Sequence, residues 1–270
     1  MPFKLIKGAF APGFGRPDGD SMRFVPDDPA PLFRLRRRGA PPKVNPNNGS
    51  IQLRYEAIDT MESRAGALAD AATRSNLELA GFGGDAPPDT ARGEIYTTQL
   101  GPNGRPIVFA FAGDSGRPDG EDVFLGPDDI MASLNLKQIA RGHAYPLFYD
   151  TLFDDLRERC ADVSNAAKAG GVGVWARDAT TAGARLTGDG ETLAPIFPKL
   201  WRRIDRFARD ETLFDPATPF RHLKLFLEMN EERVTLPARR RFTGFDDLVE
   251  TTDDTVRLTA EPHEMVFVSS

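Results

Sequence analysis

A single cysteine, Cys160, and three scattered histidines, His143, His222 and His263, are all that this chain of 270 residues offers to soft-metal chemistry. One cysteine cannot close an internal disulfide, and the histidines do not fall at zinc-site spacing, so any metal is expected on oxygen ligands. Long apolar runs are also missing. No stretch approaches transmembrane length, and the opening Met1-Pro2-Phe3-Lys4-Leu5-Ile6-Lys7-Gly8 lacks the apolar core of a secretory signal. The expectation is a soluble, cytoplasmic protein with no membrane partner. An excess of positive charge is absent too: the formal net charge of -6 argues against global attraction to nucleic acid. Basic residues cluster locally instead, at Arg34-Leu35-Arg36-Arg37-Arg38, at Arg202, Arg203, Arg206 and Arg209, and at Arg239-Arg240-Arg241. Each cluster taken alone reads as a solvated face.

What the chain does have is 40% hydrophobic residues, enough for at least one buried core, in one large domain or two unequal ones. Residues Lys4 to Phe10, Ser21 to Val25 and Ile51 to Ile58 alternate as strands do, and the Pro/Asn-rich 39–49 segment reads as a loop. A helix is expected from Arg64 to Leu79, with Ser63 as N-cap and Gly81 just past its end. After a turn at Gly101-Pro102-Asn103-Gly104 comes a strand from Ile107 to Ala112, then helices over Asp129 to Arg141 and Asp150 to Ala169. The Gly/Thr-rich stretch Thr180 to Glu191 marks a linker. Beyond it are two amphipathic helices, Leu200 to Ala208 and Phe220 to Glu228, and short strands at Val256 to Thr259 and Met265 to Val268. The hexapeptide Gly15-Arg16-Pro17-Asp18-Gly19-Asp20 nearly repeats as Gly116-Arg117-Pro118-Asp119-Gly120-Glu121, and both copies have the letters of a Pro-Asp-Gly turn.

Chemistry is suggested by Leu53-Arg54-Tyr55-Glu56-Ala57-Ile58-Asp59-Thr60-Met61-Glu62. Alternation puts Arg54 in mid-strand and places Asp59, Thr60 and Glu62 where the strand ends. If that end lies beside the Asp20 turn, two carboxylates converge as a hard cation requires.

These pieces resemble the staphylococcal-nuclease-like (thermonuclease) family. Asp18-Gly19-Asp20-Ser21 stands for its D-G-D-T, Ile58-Asp59-Thr60-Met61-Glu62 for its V-D-T-P-E, and Asn103-Gly104-Arg105-Pro106-Ile107 for its G-R-x-L. Asn135 to Gly142 is similar to its N-x-x-L-V-x-x-G helix, and Gly173-Val174-Trp175 to its closing G-[IL]-W, so the likeness spans about residues 4 to 178. It implies an α+β fold, a five-stranded OB-type β-barrel with packed helices, over residues 1–178. A small α+β extension follows at 190–270. It further implies a metal-dependent nuclease that hydrolyses phosphodiester bonds of DNA, RNA or both and leaves 3′-phosphates. Asp20 and Asp59 would bind a single Ca²⁺ by carboxylate and Thr60 by its carbonyl, with Mg²⁺ or Mn²⁺ as alternatives and Asp18 acting through water. Glu62 would be the general base, and Arg54 and Arg105 would hold the scissile phosphate. Planar, forked guanidinium groups suit that last role on chemical grounds as well.

Singly, each residue has a plain structural reading: Arg54 paired on a strand with Glu56 or another surface carboxylate, Glu62 in a helix's first turn, Arg105 in a hairpin. Together, the ordered set favours an active site. The rival is a non-catalytic binding module for nucleic acid or protein. Three departures from the family pattern stand out: Met61 replaces the proline before Glu62, Pro106 follows Arg105, and residues 113–129 are inserted. Phe148 and Tyr149 fall where the family places base-stacking aromatics, though apolar packing suits both equally well. Residues 190–270 are expected to restrain or target the nuclease, through self-association, a regulatory protein, or an Arg202/Arg203/Arg206 face on nucleic acid.

Overall fold

The computed structural model describes residues 2–37, 39–62, 66–185, 194–210 and 212–269. These fall into two compact units, 1–144 and 145–270. The sequence reading put the break after residue 178. In the structure the helix after residue 150 and the Gly173-Val174-Trp175 turn belong with the C-terminal unit.

The first unit is built on a mixed sheet. Strands β1 (Phe3–Phe10), β2 (Arg23–Pro26), β3 (Arg36–Arg37), β4 (Ile51–Gln52), β5 (Arg54–Tyr55), β6 (Ile58–Thr60), β7 (Ala91–Leu100), β8 (Pro106–Ala112) and β9 (Asp122–Val123) accompany helices α1 (Ala67–Leu77) and α2 (Leu134–Ala140). The sheet runs β4-β2-β1-β7-β8-β5, with β3 added beside β7 and β9 beside β1. Its two ends, β4 and β5, are separated in the chain by Leu53 alone, so the sheet curls into a nearly closed barrel. Leu5, Ile6, Phe10, Phe24, Leu53, Ile95, Val108 and Phe109 are buried on its two faces. Phe10 meets Phe24 edge-on, with ring centroids 5.5 Å apart. Space for Phe10 comes from Gly93 on β7, where a Cβ would stand 2.3 Å from the ring.

Several expectations need correction. The 51–58 run is not one strand: it breaks at Glu56-Ala57, where Ala57 takes a left-handed φ of 68°, and β6 starts afresh. The turn carries Glu56 and Ile58 to buried positions, against simple alternation. The longest strand, β7, was not anticipated, although Glu94-Ile95-Tyr96-Thr97-Thr98 is rich in strand formers. Helix α1 ends near Gly81 (φ 99°) as expected, while its proposed cap Ser63 lies outside the described residues. The 129–141 helix divides into a short 3-10 turn and α2, capped by Ser133, whose side chain accepts from Leu136 N.

In the second unit β10 (Ala144–Pro146), which begins one residue before it, leads to β11 (Phe148–Tyr149) and α3 (Asp154–Ala169). These are followed by β12 (Ala184–Arg185), α4 (Pro198–Phe207), α5 (Leu223–Glu228), β13 (Arg233–Leu236), β14 (Arg241–Gly244), β15 (Val249–Thr251), β16 (Thr255–Leu258) and β17 (Val266–Phe267). Two sheets form, β11-β17-β13-β14 and β12-β16-β15. The expected linker therefore contributes a strand at 184–185, and its residues 186–191 lie outside the described set. Phe148, Phe197, Phe207, Phe220, Phe245 and Phe267 are fully buried there. Among the described residues no helix is long and apolar enough to cross a membrane.

Candidate active site

The first Pro-Asp-Gly turn is held by its own backbone: Asp18 N donates to Ser21 O at 3.0 Å and Asp20 N to the Asp18 carboxylate at 3.2 Å. Glycine is needed between the two aspartates. A Cβ on Gly19 would lie 2.7 Å from both the Thr60 and Ala72 side chains, so the turn sits directly on β6 and α1. Two buried amides clamp its carbonyls. Asn76 of α1 donates to Asp18 O (2.6 Å) while accepting from the Tyr55 hydroxyl (3.0 Å). Gln138 of α2 donates to both Gly19 O and Ala72 O at 2.8 Å. From the barrel side, Tyr55 N donates to Asp20 O at 2.9 Å.

So positioned, Asp20 meets Arg54. The guanidinium forks between two carboxylates, 2.7 Å to Asp20 and 3.1 Å to Asp59. Asp59 is fully buried and Asp20 nearly so, which strengthens both contacts relative to a surface pair. The plain pairing of Arg54 with Glu56 is not what forms. Glu56 points into the interior, where burial pushes its carboxyl up to about 7, opposed by a bond from Ala57 N and by the charge of Arg54. Asn135 of α2 fixes the same neighbourhood: its amide donates to Glu56 O and Val108 O at 2.9 Å each and accepts from Ala110 N at 3.0 Å. It thereby ties α2 to the parallel pair that carries Arg54 opposite Ile107.

Arg105 stands in the turn before β8, which starts at Pro106 as the missing N–H requires. Burial lowers its guanidinium pKa, and the charge of Arg54 lowers it further, while Asp20 and Asp18 raise it. Among the described residues no carboxylate forms an ion pair with Arg105. Asp18 is the opposite case. Desolvation of the carboxyl first, and the adjacent Asp20 second, push it up to about 8, although the residue keeps substantial solvent contact. The structure thus brings Asp18, Asp20, Arg54, Asp59 and Arg105 together. Thr60 is buried on β6, and Glu62 follows it half-buried.

The donor chemistry suits a hard cation. Among the described residues no group of three or more Asp, Glu, His or Cys side chains converges as a metal site. Two carboxylates and a carbonyl, completed by water, nevertheless make an acceptable shell for Ca²⁺ or Mg²⁺.

The second Pro-Asp-Gly turn does something different. Its Asp119 accepts from Lys7 N (2.8 Å) and Gly120 O from Lys4 Nζ (3.0 Å), so it fastens the 113–129 insertion to β1. Phe148 cannot stack on a base, being fully buried and paired with Val266 across β11 and β17. Tyr149 packs beside Phe267 and beneath Lys199. The Arg202/Arg203/Arg206 face is not uniformly available either: Arg203 is bound to Glu232 at 2.8 Å, and Lys199 holds the same carboxylate at 2.6 Å.

Asn76, Asn135 and Gln138 were not singled out as site residues from the sequence. The signal was present for the last two, as amides three residues apart in a helix whose other residues, Lys137 aside, are apolar. Comparison with known proteins adds no family: no protein-family model matches the chain, and no curated protein matches it.

Proposed function

We propose that the chain is a metal-dependent phosphodiesterase acting on nucleic acid, built on an OB-type barrel that resembles the staphylococcal-nuclease-like domain. The observation that carries this reading is Arg105, an arginine with an unmet need for an anion. It is partly desolvated beside Arg54, and among the described residues it lacks an ion-pair partner. A phosphoryl group beside the two guanidiniums would satisfy Arg105 and accept forked donors.

In this reading Asp20, Asp59 and the Thr60 carbonyl hold a cation, Ca²⁺ by preference and Mg²⁺ or Mn²⁺ as alternatives. The cation supplies positive charge against the charge developing on the phosphoryl oxygens. Arg54 and Arg105 orient the phosphodiester, and Glu62 takes the proton of the attacking water. Arg54 also keeps Asp20 and Asp59 correctly placed before substrate arrives. The C-terminal unit would restrain or target the activity.

One observation favours the rival, a non-catalytic binding module. Arg54 already balances Asp20 and Asp59, so the cluster can persist without a cation. Cleavage of plasmid DNA and single-stranded RNA with Ca²⁺, Mg²⁺ or chelator, by wild type and Glu62→Gln, separates the two. Metal-dependent cleavage lost in the variant supports the enzyme. Absent cleavage, or an equally active variant, defeats the catalytic assignment.

A further inference from the structure

Phe33 and the arginines after it have no role in the site described above. Phe33 is 57% exposed, and Arg34, Arg36 and Arg37 are exposed beside it. Three other surface arginines of this unit are matched with acids: Arg92 with Asp27, Arg117 with Glu121, Arg141 with Glu78. Among the described residues no carboxylate pairs with Arg34, Arg36 or Arg37.

Their place in the sheet matters. Strand β3 runs parallel to the end of β7, with Arg37 opposite Leu100, and on the other side of β7 Leu100 faces Pro106. The Arg37 backbone is therefore two strand spacings, about 10 Å, from the residue next to Arg105. The following chain is lashed to the same hairpin, Ala40 N to Pro102 O at 2.9 Å and Lys43 N to Gly104 O at 3.3 Å, which keeps exposed Lys43 in line.

We propose that Phe33, Arg34, Arg36 and Arg37 form a binding strip for single-stranded nucleic acid, continuous with the Arg54/Arg105 phosphate site. The proposal rests on the nuclease reading of that site and names its substrate class. Arginines take phosphates irrespective of sequence, and an exposed aromatic ring takes an unstacked base. A duplex offers its backbone but no free base face, so Phe33 selects the single strand. Three exposed arginines and an exposed ring fall within five residues here, in a protein of net charge -6, and that local concentration of positive charge favours a polyanion lying along the edge.

The test uses the full chain, labelled oligo-dT and a matched duplex, with binding followed by fluorescence anisotropy across salt concentrations. Replacing Arg34, Arg36 and Arg37 together by Gln is expected to lower the slope of log K against log salt by about 2, at about 0.7 per lost phosphate contact. Phe33→Ala is expected to weaken single-strand binding roughly 5- to 150-fold with the slope intact. Both variants should keep the wild-type melting temperature and the wild-type rate on a dinucleotide. A triple variant with wild-type affinity and slope overturns the strip while the site reading stands. Equal loss on duplex and single strand in Phe33→Ala overturns the stacking role. A wild type that neither binds nor cleaves nucleic acid overturns the strip and the site reading together.

Discussion

Arg54 does at residue scale what no single charge of another kind would do. Its fork spans two carboxylates that water scarcely reaches, and replacing it takes a charged partner from each of these buried groups. Arg54→Met is expected to lower stability by about 3 kcal/mol in urea unfolding at pH 7. Arg54→Lys should recover little, because an ammonium cannot bridge in two planar contacts; full recovery would refute the forked-bridge argument. Glu56 predicts a pH dependence of definite sign. Its carboxyl moves from an ordinary 4.5 to about 7 on folding, chiefly by burial. Between those values the unfolded chain loses its proton and the folded chain keeps it, so stability is full below pH 4.5 and declines as pH rises to 7. The decline is about 3 kcal/mol, at roughly 1.4 kcal/mol per pH unit. Glu56→Gln should reduce it, leaving the share of the raised Asp18, as denaturation midpoints at pH 5 and pH 8 would reveal. At this scale Asp20, Arg54, Asp59 and Arg105 were legible in the sequence because their order and types match a recognisable pattern. The burial of Glu56 was not, since it follows from one left-handed residue, Ala57, that alternation cannot register.

Elements meet around the Asp18-Gly19-Asp20 turn with no room to spare. Gly19→Ala forces a methyl into Thr60 and Ala72 and should displace the turn from β6. The expected outcome is a lowered melting temperature together with loss of cleavage; wild-type values for both would show that the close approach is dispensable. Asn135→Ala removes three bonds that join α2 to the β5/β8 pair. It should cost about 3 kcal/mol, since the Glu56 carbonyl and the Ala110 N–H each lose a bond in a dry interior, while Val108 O keeps the one from Glu56 N. Hydrogen exchange at Ala110 N would rise with it. The helices and strands β1, β2, β8, β16 and β17 were readable from periodicity and turn residues. Strand β7 was missed although its residues favour extended structure, and the hairpin of β13 and β14 was missed as well. Besides their hairpin partners, β7 pairs with β1 and β13 with β17, contacts distant in the chain that local patterns do not encode.

Across the whole molecule, the sequence-based boundary at residue 178 would cut through the second unit. Strand β11 pairs with β17, and α3 is tied to the C-terminal segment by Lys168 to Glu261 at 2.6 Å. A fragment ending at 189 should therefore expose Phe148, Leu156 and Cys160, bind a hydrophobic dye and aggregate, where the full chain does not. A soluble, dye-negative fragment with unchanged helix content would contradict that division. The test for restraint by the C-terminal region accordingly needs point variants within it rather than truncation. By itself the amino-acid sequence determined the kinds of groups available: oxygen ligands in place of sulfur, paired arginines, a mixed α and β pattern and a Gly-rich turn ahead of a strand. Those are properties of composition and short-range order. Only the tertiary structure decided that Arg54 grips Asp20 and Asp59, that Arg105 lies near them with its charge unmet, and that the second Pro-Asp-Gly turn merely anchors an insertion. Such choices depend on which distant segments share a dry interior. There, burial and Coulomb interactions outweigh any preference that neighbouring residues express.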